Sequence, residues 1–258
     1  MPNCPIICTN PTRRGVFGML AAMSAAAALG GCNMLQSETI RYRMTVEVET
    51  PQGLRSGSSV IETSVRPSGP LSAVAVNYSY RGEAVAVDLP SGQTLFALLQ
   101  SADGNIDAAT QFPIWAMADR IPRPGQFKEK LHWLAQYAAL RKLDGVGILP
   151  RTLPVGYYPP VDKPPSAYPL LVHFRDIRDP KTVVRIDPTE VAASFGPGVK
   201  LRRITVQITD DAVTMGIKKR LRWLDNFYDK MLDGSPINNS QVLANNLSQM
   251  DFSAGASK

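Results

Sequence analysis

From Ile40 to Glu49 the chain alternates: Ile40, Tyr42, Met44, Val46 and Val48 are apolar, and Arg41, Arg43, Thr45, Glu47 and Glu49 between them are polar. A period of two places successive side chains on opposite faces, so this stretch predicts a half-buried strand. Pro51-Gln52-Gly53 predicts a turn, with Ser56-Gly57-Ser58 extending the loop, and Ser59 to Val65 predicts a returning strand. After a break at Pro67-Ser68-Gly69-Pro70, Val74, Val76, Tyr78 and Tyr80 alternate up to an expected turn at Arg81-Gly82. Val85, Val87 and Leu89 come back, and Pro90-Ser91-Gly92-Gln93 turns the chain into Thr94 to Leu99. Five short strands joined by turns predict an antiparallel meander.

The period then changes. Asn105 to Asp119 is broadly helical but contains Pro113, which suits a first turn better than a helix interior. A better helix is predicted over Phe127 to Lys142, where Phe127, Leu131, Leu134 and Ala138 recur at helical steps and Trp133, Tyr137 and Leu140 widen the stripe. Lys128, His132 and Gln136 fall on the opposite, solvated side. Leu149 to Pro169 carries prolines at 150, 154, 159, 160, 164, 165 and 169, which rule out helix and central strand. It reads as a surface crossing whose Tyr157, Tyr158 and Tyr168 cover apolar core, with a partner-binding surface as the alternative.

Leu170, Val172 and Phe174 alternate with Leu171, His173 and Arg175 in a strand that ends at Asp176 to Pro180, and Thr182 to Ile186 is its hairpin partner. Asp187-Pro188-Thr189-Glu190 predicts a helix start with an acidic cap, and Gly196-Pro197-Gly198 its close. Val199 to Thr209 predicts a strand with Ile204, Val206 and Ile208 inward. Gly216 to Met231 reads as a basic amphipathic helix, with Ile217, Leu221, Leu224, Phe227 and Tyr228 apolar and Lys218, Lys219, Arg220 and Arg222 between them. Those four charges are a solvated face or a membrane-surface contact. From Asp233 the chain is rich in Asn, Ser, Gln and Gly, which predicts a loosely ordered tail over 233–258. The fold class is therefore α+β: one domain over 40–232, mainly antiparallel sheet in a meander or sandwich, with two or three packed helices.

Ahead of this domain, Arg13 and Arg14 precede an uncharged run from Gly15 to Leu29, too short and too rich in Ala and Gly to span a membrane. The paired arginines, followed by Val16 and Phe17, resemble a twin-arginine export signal, and ordinary Sec signals also carry arginines. Leu29-Gly30-Gly31-Cys32 resembles the lipobox of bacterial lipoproteins. That resemblance implies cleavage after residue 31, a diacylglycerol thioether on Cys32, a tether over 32–39, and membrane lipid as a partner. It also implies a periplasm-facing position in the cell envelope. Asn33 is not the aspartate that retains lipoproteins in the inner membrane of enteric bacteria, so sorting to the outer membrane is allowed. So short a tether would hold the domain close to the bilayer. The stretch from Tyr168 to Trp223 is similar to hypothetical lipoproteins of Gram-negative bacteria, a resemblance that implies no activity and no site residue.

Composition narrows the chemistry. Of 258 residues, 31 precede Cys32, which leaves 227, enough for one sizeable core. The three cysteines are Cys4, Cys8 and Cys32, so a cleaved and lipidated chain has no thiol for a disulfide or a metal. Net charge is +6 for the whole chain, and loss of Arg13 and Arg14 lowers it to near +4, an excess that suits an anionic surface. A nucleic-acid partner is not expected outside the cell.

His132 and His173 are the two histidines, and Gly-x-Ser-x-Gly is absent. His173 near Asp176 and Asp179 is the one constellation resembling a base with its orienting acid, and strand geometry puts His173 and Asp176 on opposite sides. Both histidines are expected to be solvated and replaceable. The pairs Asp176 with Asp179 and Asp210 with Asp211 could serve a glycosidase or calcium, and read more simply as turn and cap residues. Gly145-Val146-Gly147 follows a helix instead of preceding one, the wrong order for a dinucleotide cradle. No catalytic residue, metal site or cofactor is expected. The function that fits is a non-enzymatic, lipid-anchored envelope protein that binds or supports another envelope component. Two rivals are a carboxylate-dependent cell-wall or polysaccharide hydrolase, marked by a deep acidic cleft, and a periplasmic carrier of an apolar ligand, marked by an empty apolar cavity.

Overall fold

The computed structural model of the chain describes residues 37–69, 72, 76–123, 132–159 and 161–255. They form an α+β fold of ten strands in two antiparallel sheets, with five short helices. The strands are β1 (Glu38–Thr50), β2 (Gly53–Pro67), β3 (Val76–Glu83), β4 (Val85–Asp88), β5 (Thr94–Ser101), β6 (Val146–Ile148), β7 (Pro169–Phe174), β8 (Val183–Arg185), β9 (Lys200–Ile208) and β10 (Ser253–Ala254). The helices are α1 (Phe112–Ala116), α2 (His132–Leu140), α3 (Val191–Phe195), α4 (Ile217–Arg220) and α5 (Gln249–Phe252). The larger sheet has the order β10-β3-β2-β1-β9-β6 and the smaller β4-β5-β7-β8.

Alternation in β1 does what the sequence predicts. Ile40, Tyr42, Met44, Val46 and Val48 are buried, and the intervening charges meet partners on the outer face. Glu62 of β2 lies 2.7 Å from Arg41 and 3.1 Å from Arg81, and Arg203 of β9 grips Glu47 through two bonds of 2.9 Å. Such exposed cross-strand pairs contribute little individually, about 0–1 kcal/mol. They define the solvent side, and the apolar side packs on α1, α2 and the smaller sheet.

The two sheets pack as the sandwich alternative of the predicted fold class, and the smaller sheet is covered on both faces. All eight residues of β5 and all six of β7 are buried. Val85, Val87, Leu95, Ala97, Leu99 and Leu171 face the larger sheet, whereas Phe96, Leu98, Leu170, Val172 and Phe174 face a second core built with residues 217–252. The five expected N-terminal strands therefore divide between two sheets. There is no turn at Arg81-Gly82: β3 runs on to Glu83, and the chain crosses to the smaller sheet at Ala84. Nor is Ser56-Gly57-Ser58 a loop, because β2 starts at Gly53 directly after Pro51-Gln52. Gly57 lies where β2 passes close to β4 of the smaller sheet, and a β-carbon there would overlap the Ala86 carbonyl oxygen.

Three expectations for the C-terminal third are corrected. Gly216 to Met231 is not one helix: α4 stops when Leu221 leaves helical dihedrals (φ −106°, ψ 75°), and a 3-10 turn follows over Leu224–Phe227. Wrapping a flat sheet face needs Leu221, Leu224 and Leu232 at successive points, which one straight apolar stripe cannot supply. The carboxylate of Glu83 accepts the Gly216 and Ile217 N–H groups, satisfying donors at the start of α4. The expected loose tail is ordered as far as Gly255. Asn245 is fully buried and organises it: its Oδ1 accepts from the N–H of Asn239 and Ser240 at 2.8 Å, and its Nδ2 donates to Asp233 and to the Ile237 carbonyl. A polar composition is thus compatible with order when each buried amide is paired. Asp187 also differs from expectation, since its Oδ1 accepts the Thr189 N–H and hydroxyl in a turn before α3, whose cap position is Glu190.

Helix α2 runs over His132–Leu140, and the predicted start at Phe127, with Lys128 and Leu131, lies outside the described residues. Its buried face is Gln136, Tyr137 and Leu140, so Gln136 is not on a solvated side. The reason is polar satisfaction inside. Gln136 Nε2 donates to the Pro122 carbonyl at 2.8 Å and to the Tyr157 hydroxyl at 3.2 Å, and the Tyr137 hydroxyl meets Thr63 and the Thr110 carbonyl at 2.7 Å.

The outer core predicts two outcomes. Phe252 sits fully buried 5.9 Å from the Phe174 ring and 6.3 Å from Trp223. Phe252→Ala should lower unfolding free energy by about 3–5 kcal/mol, read from urea unfolding followed by tryptophan fluorescence; a loss within experimental error would mean the C-terminal layer contributes nothing to the fold. Neighbouring Asp251 is the second case: burial pushes its carboxyl up from 3.8 to about 6, against the lowering effect of its bonds with Ser248. The unfolded chain therefore releases this proton first, so the group's contribution to stability is greatest below pH ~4 and falls as pH rises towards ~6. Asp251→Asn should remove that decline, and identical pH profiles of the urea midpoint for the two proteins would refute it.

Candidate functional site

Strand β6 is an edge of the larger sheet, paired among the described residues only with β9 in the register Val146 with Gln207, Gly147 with Val206 and Ile148 with Thr205. The Leu149 N–H donates to the Ile204 carbonyl at 2.9 Å, so that pair, and by antiparallel alternation Gly147 with Val206, exchanges hydrogen bonds. The backbone N–H and C=O groups of Val146 and Ile148 consequently point away from the sheet. Their side chains are also open, 54% and 61% exposed.

A groove of about 710 Å³ runs along this edge. Trp115, Ala116 and Ala118 from the end of α1 form its floor, and Pro150, Pro154, Val155 and Tyr157 from the proline-rich crossing form its far wall. Gly147 permits the floor to lie so near, because a β-carbon there would collide with the Ala116 carbonyl oxygen. The floor is rigid: Trp115 stacks edge-on against Phe112 at 5.7 Å, and both are buried. Tyr157 is held by Gln136; burial raises its phenol pKa, offset in part by that bond and by the Arg123 charge.

One end is charged. Arg120 Nη1 is 3.4 Å from the Asp144 carbonyl, and its Nε is 3.9 Å from Asp119. Arg123 is exposed and has no ion pair among the described residues. Along the crossing, Tyr168 is buried in the core as a covering residue, whereas Val155 is 83% exposed beside the groove.

The groove escaped the sequence reading. In sequence, Gly145-Val146-Gly147 bears only on a dinucleotide cradle, for which its order after a helix is wrong. The available signal was a short uncharged strand between a helix and a proline-rich run, without the charge or proline that usually shields an edge.

The residues singled out from sequence lie elsewhere and do not converge. His173 is a correction: it is 6% exposed, not solvated, because α3 covers its side of β7 and places the Phe195 ring 5.1 Å away. Its Nδ1 has no hydrogen-bond partner. Burial, with help from the Arg175 charge, lowers its pKa below 6.5, opposed by a backbone bond at Phe174. Asp176 does not orient it: that carboxylate is held by Arg178 through two bonds of 3.0 Å, which lower its pKa, and Asp179 accepts the Lys181 N–H. Asp211 pairs with Arg43 at 2.6 Å and with Thr209 at 2.8 Å, while the Asp210 carbonyl faces Arg41. His132 is half-buried with its ring 4.6 Å from Trp133. Of the four basic residues expected on one helix face, Arg220 pairs with Asp88 and Lys218 with Asp225. Arg13, Arg14, Leu29, Gly30, Gly31 and Cys32 lie outside the described residues.

Among the described residues no group of three His, Cys, Asp or Glu side chains could hold a metal ion, and no helix is long and apolar enough to cross a membrane. Comparison with family models, with curated proteins and with solved structures finds no match.

The environment of His173 predicts a pH effect. The unfolded chain takes up a proton at its ordinary pKa near 6.5 and the folded chain only below it, so stability is complete above pH 6.5 and falls as pH drops towards the lower folded value. His173→Gln, which cannot titrate, should lose less stability than wild type between pH 7.5 and pH 5. Equal losses in urea unfolding would show that the imidazole is protonated as readily inside as outside.

Proposed function

We propose that this chain is a lipid-anchored protein of the bacterial cell envelope that binds another envelope component through the groove beside β6, without catalysing a reaction. The observation that carries the binding half is an open, uncharged strand edge bordering a rigid-floored groove, since exposed apolar surface rimmed by polar groups marks interaction sites. Of the acidic residues that a hydrolase would need in pairs, Asp176 and Asp211 are held by arginines and Asp179 by a turn hydrogen bond, which leaves neither pair with two uncommitted carboxylates. The lipobox-like Leu29-Gly30-Gly31-Cys32 supports the anchoring half: membrane lipid attached through Cys32 on the periplasmic side, with outer-membrane sorting favoured by Asn33.

The two halves are tested separately. Labelled palmitate should enter the wild-type protein and not Cys32→Ser; equal labelling of both removes the anchor. For binding, a photoreactive residue is placed in cells at Val155 in the groove or at Ile237, exposed but not a groove residue. A discrete adduct should form from position 155 and be absent from 237. Indistinguishable patterns would dissociate the groove from binding.

A further inference from the structure

We infer that β6 is a docking strand: an extended segment of a partner protein adds to the larger sheet as a further strand, with acidic side chains at the end that reaches Arg120 and Arg123. This rests on the reading of the groove as a binding site and specifies what enters it.

The backbone is the first argument. Val146 and Ile148 turn N–H and C=O groups without partners among the described residues towards the groove, and an open edge is a template for another strand. The other edges are built differently. β10 is two residues long, β4 carries Asp88, and β8 carries Arg185. β6 has only Val, Gly and Ile. An acyl chain or other apolar small molecule would leave these backbone groups without partners, whereas an extended peptide supplies both donor and acceptor at the required spacing.

Charge chooses the partner. Arg123 has no ion pair among the described residues, and Arg120 has only a 3.9 Å approach to an 85% exposed Asp119. Among the described residues that line the groove, two guanidiniums stand against one solvated carboxylate, an excess of positive charge, and Arg is suited to planar, bidentate recognition of carboxylates. A second copy pairing through β6 would bring an identical patch with the same excess of arginine over acid, because a two-fold contact matches a surface to itself. The side chains of Val146 and Ile148 lie on the face opposite Gly147, so an added strand would set its own apolar residues beside them at alternate positions.

The test uses the purified full chain in detergent and three fluorescent peptides: alternating Thr and Val ending in two Asp, the same ending in two Lys, and the acidic peptide with Pro at its central positions. The acidic peptide should bind about tenfold more tightly than the lysine peptide at low salt, and the proline peptide should not bind. Arg123→Glu should invert the preference. Ile148→Pro removes one outward donor and no β6–β9 bond, so it should abolish peptide binding with the fold retained by circular dichroism. As a readout independent of that variant, amide exchange at Val146 and Ile148 should slow when the acidic peptide is added, while Gly147 and Leu149 are protected throughout. No binding of the acidic peptide at millimolar concentration, or binding that leaves those two amides unprotected, overturns the proposal. A concentration-dependent dimer by light scattering, lost in Ile148→Pro, would overturn it in favour of self-pairing. Val155 adducts with no peptide binding would sink strand addition alone, leaving the groove as a site for a different ligand.

Discussion

The structure depends on one constraint: β5 and β7 have apolar side chains on both faces. A strand of that kind cannot border water on either side. One face is met by the larger sheet, whose β2 approaches β4 so closely that position 57 has no room for a side chain. The other has no sheet to meet, and a layer of short helical turns and loops from residues 217–252 closes it. Because that cover consists of isolated apolar anchors, it must be pinned by specific polar contacts: Glu83 on the N-terminus of α4, Asn245 at the centre of its loop, and the Ser248–Asp251 capping box at α5.

The groove follows from the same economy of cover. On the larger sheet α1 and α2 shield the strands that the smaller sheet does not reach, and α1 is only five residues long. It ends beneath Gly147 and leaves the β6 edge open. The proline-rich crossing then passes beside that edge without pairing to it, since prolines lack the donor that would turn it into a neighbouring strand. A packed floor, an open backbone edge and an irregular wall therefore arise from one short helix and one proline-rich stretch that, among the described residues, pairs only with itself, at Thr152 and Ser166, and not with β6.

Residues 40–48 and 170–174 were legible because a period of two is read directly from side chains, and strands, hairpin partners and the α+β class followed from it. What escaped was set by distant contacts. The crossing at Gly82-Glu83-Ala84 looks like a hairpin turn locally; only the burial of Glu83 against residues 216–217 shows that the chain changes sheets there. Gln136 looks solvated until Pro122 and Tyr157 are placed around it. His173 looks solvated by alternation, because a strand covered on both sides keeps the alternating pattern while losing its meaning. The tail looks disordered because polar composition counts Asn245 as a surface residue, when all four of its side-chain hydrogen bonds are internal. The docking edge left only a faint trace, since an unshielded strand is defined by what its sequence lacks.

Pairing of β10 with β3 sets Ser253 opposite Glu83, 170 positions earlier in the chain. Contacts of such range form late, because the loop between them must be closed before they yield any stabilisation. During synthesis the sheet containing Phe96, Leu98 and Val172 is therefore complete as a sequence long before residues 217–254 have emerged to cover it. For that interval the nascent chain displays a broad oily surface of the kind that chaperones bind and proteases survey. Whenever this chain folds from its N-terminal side, the interval before residues 217–254 close over that face is a window of vulnerability that the stability of the finished fold does not shorten.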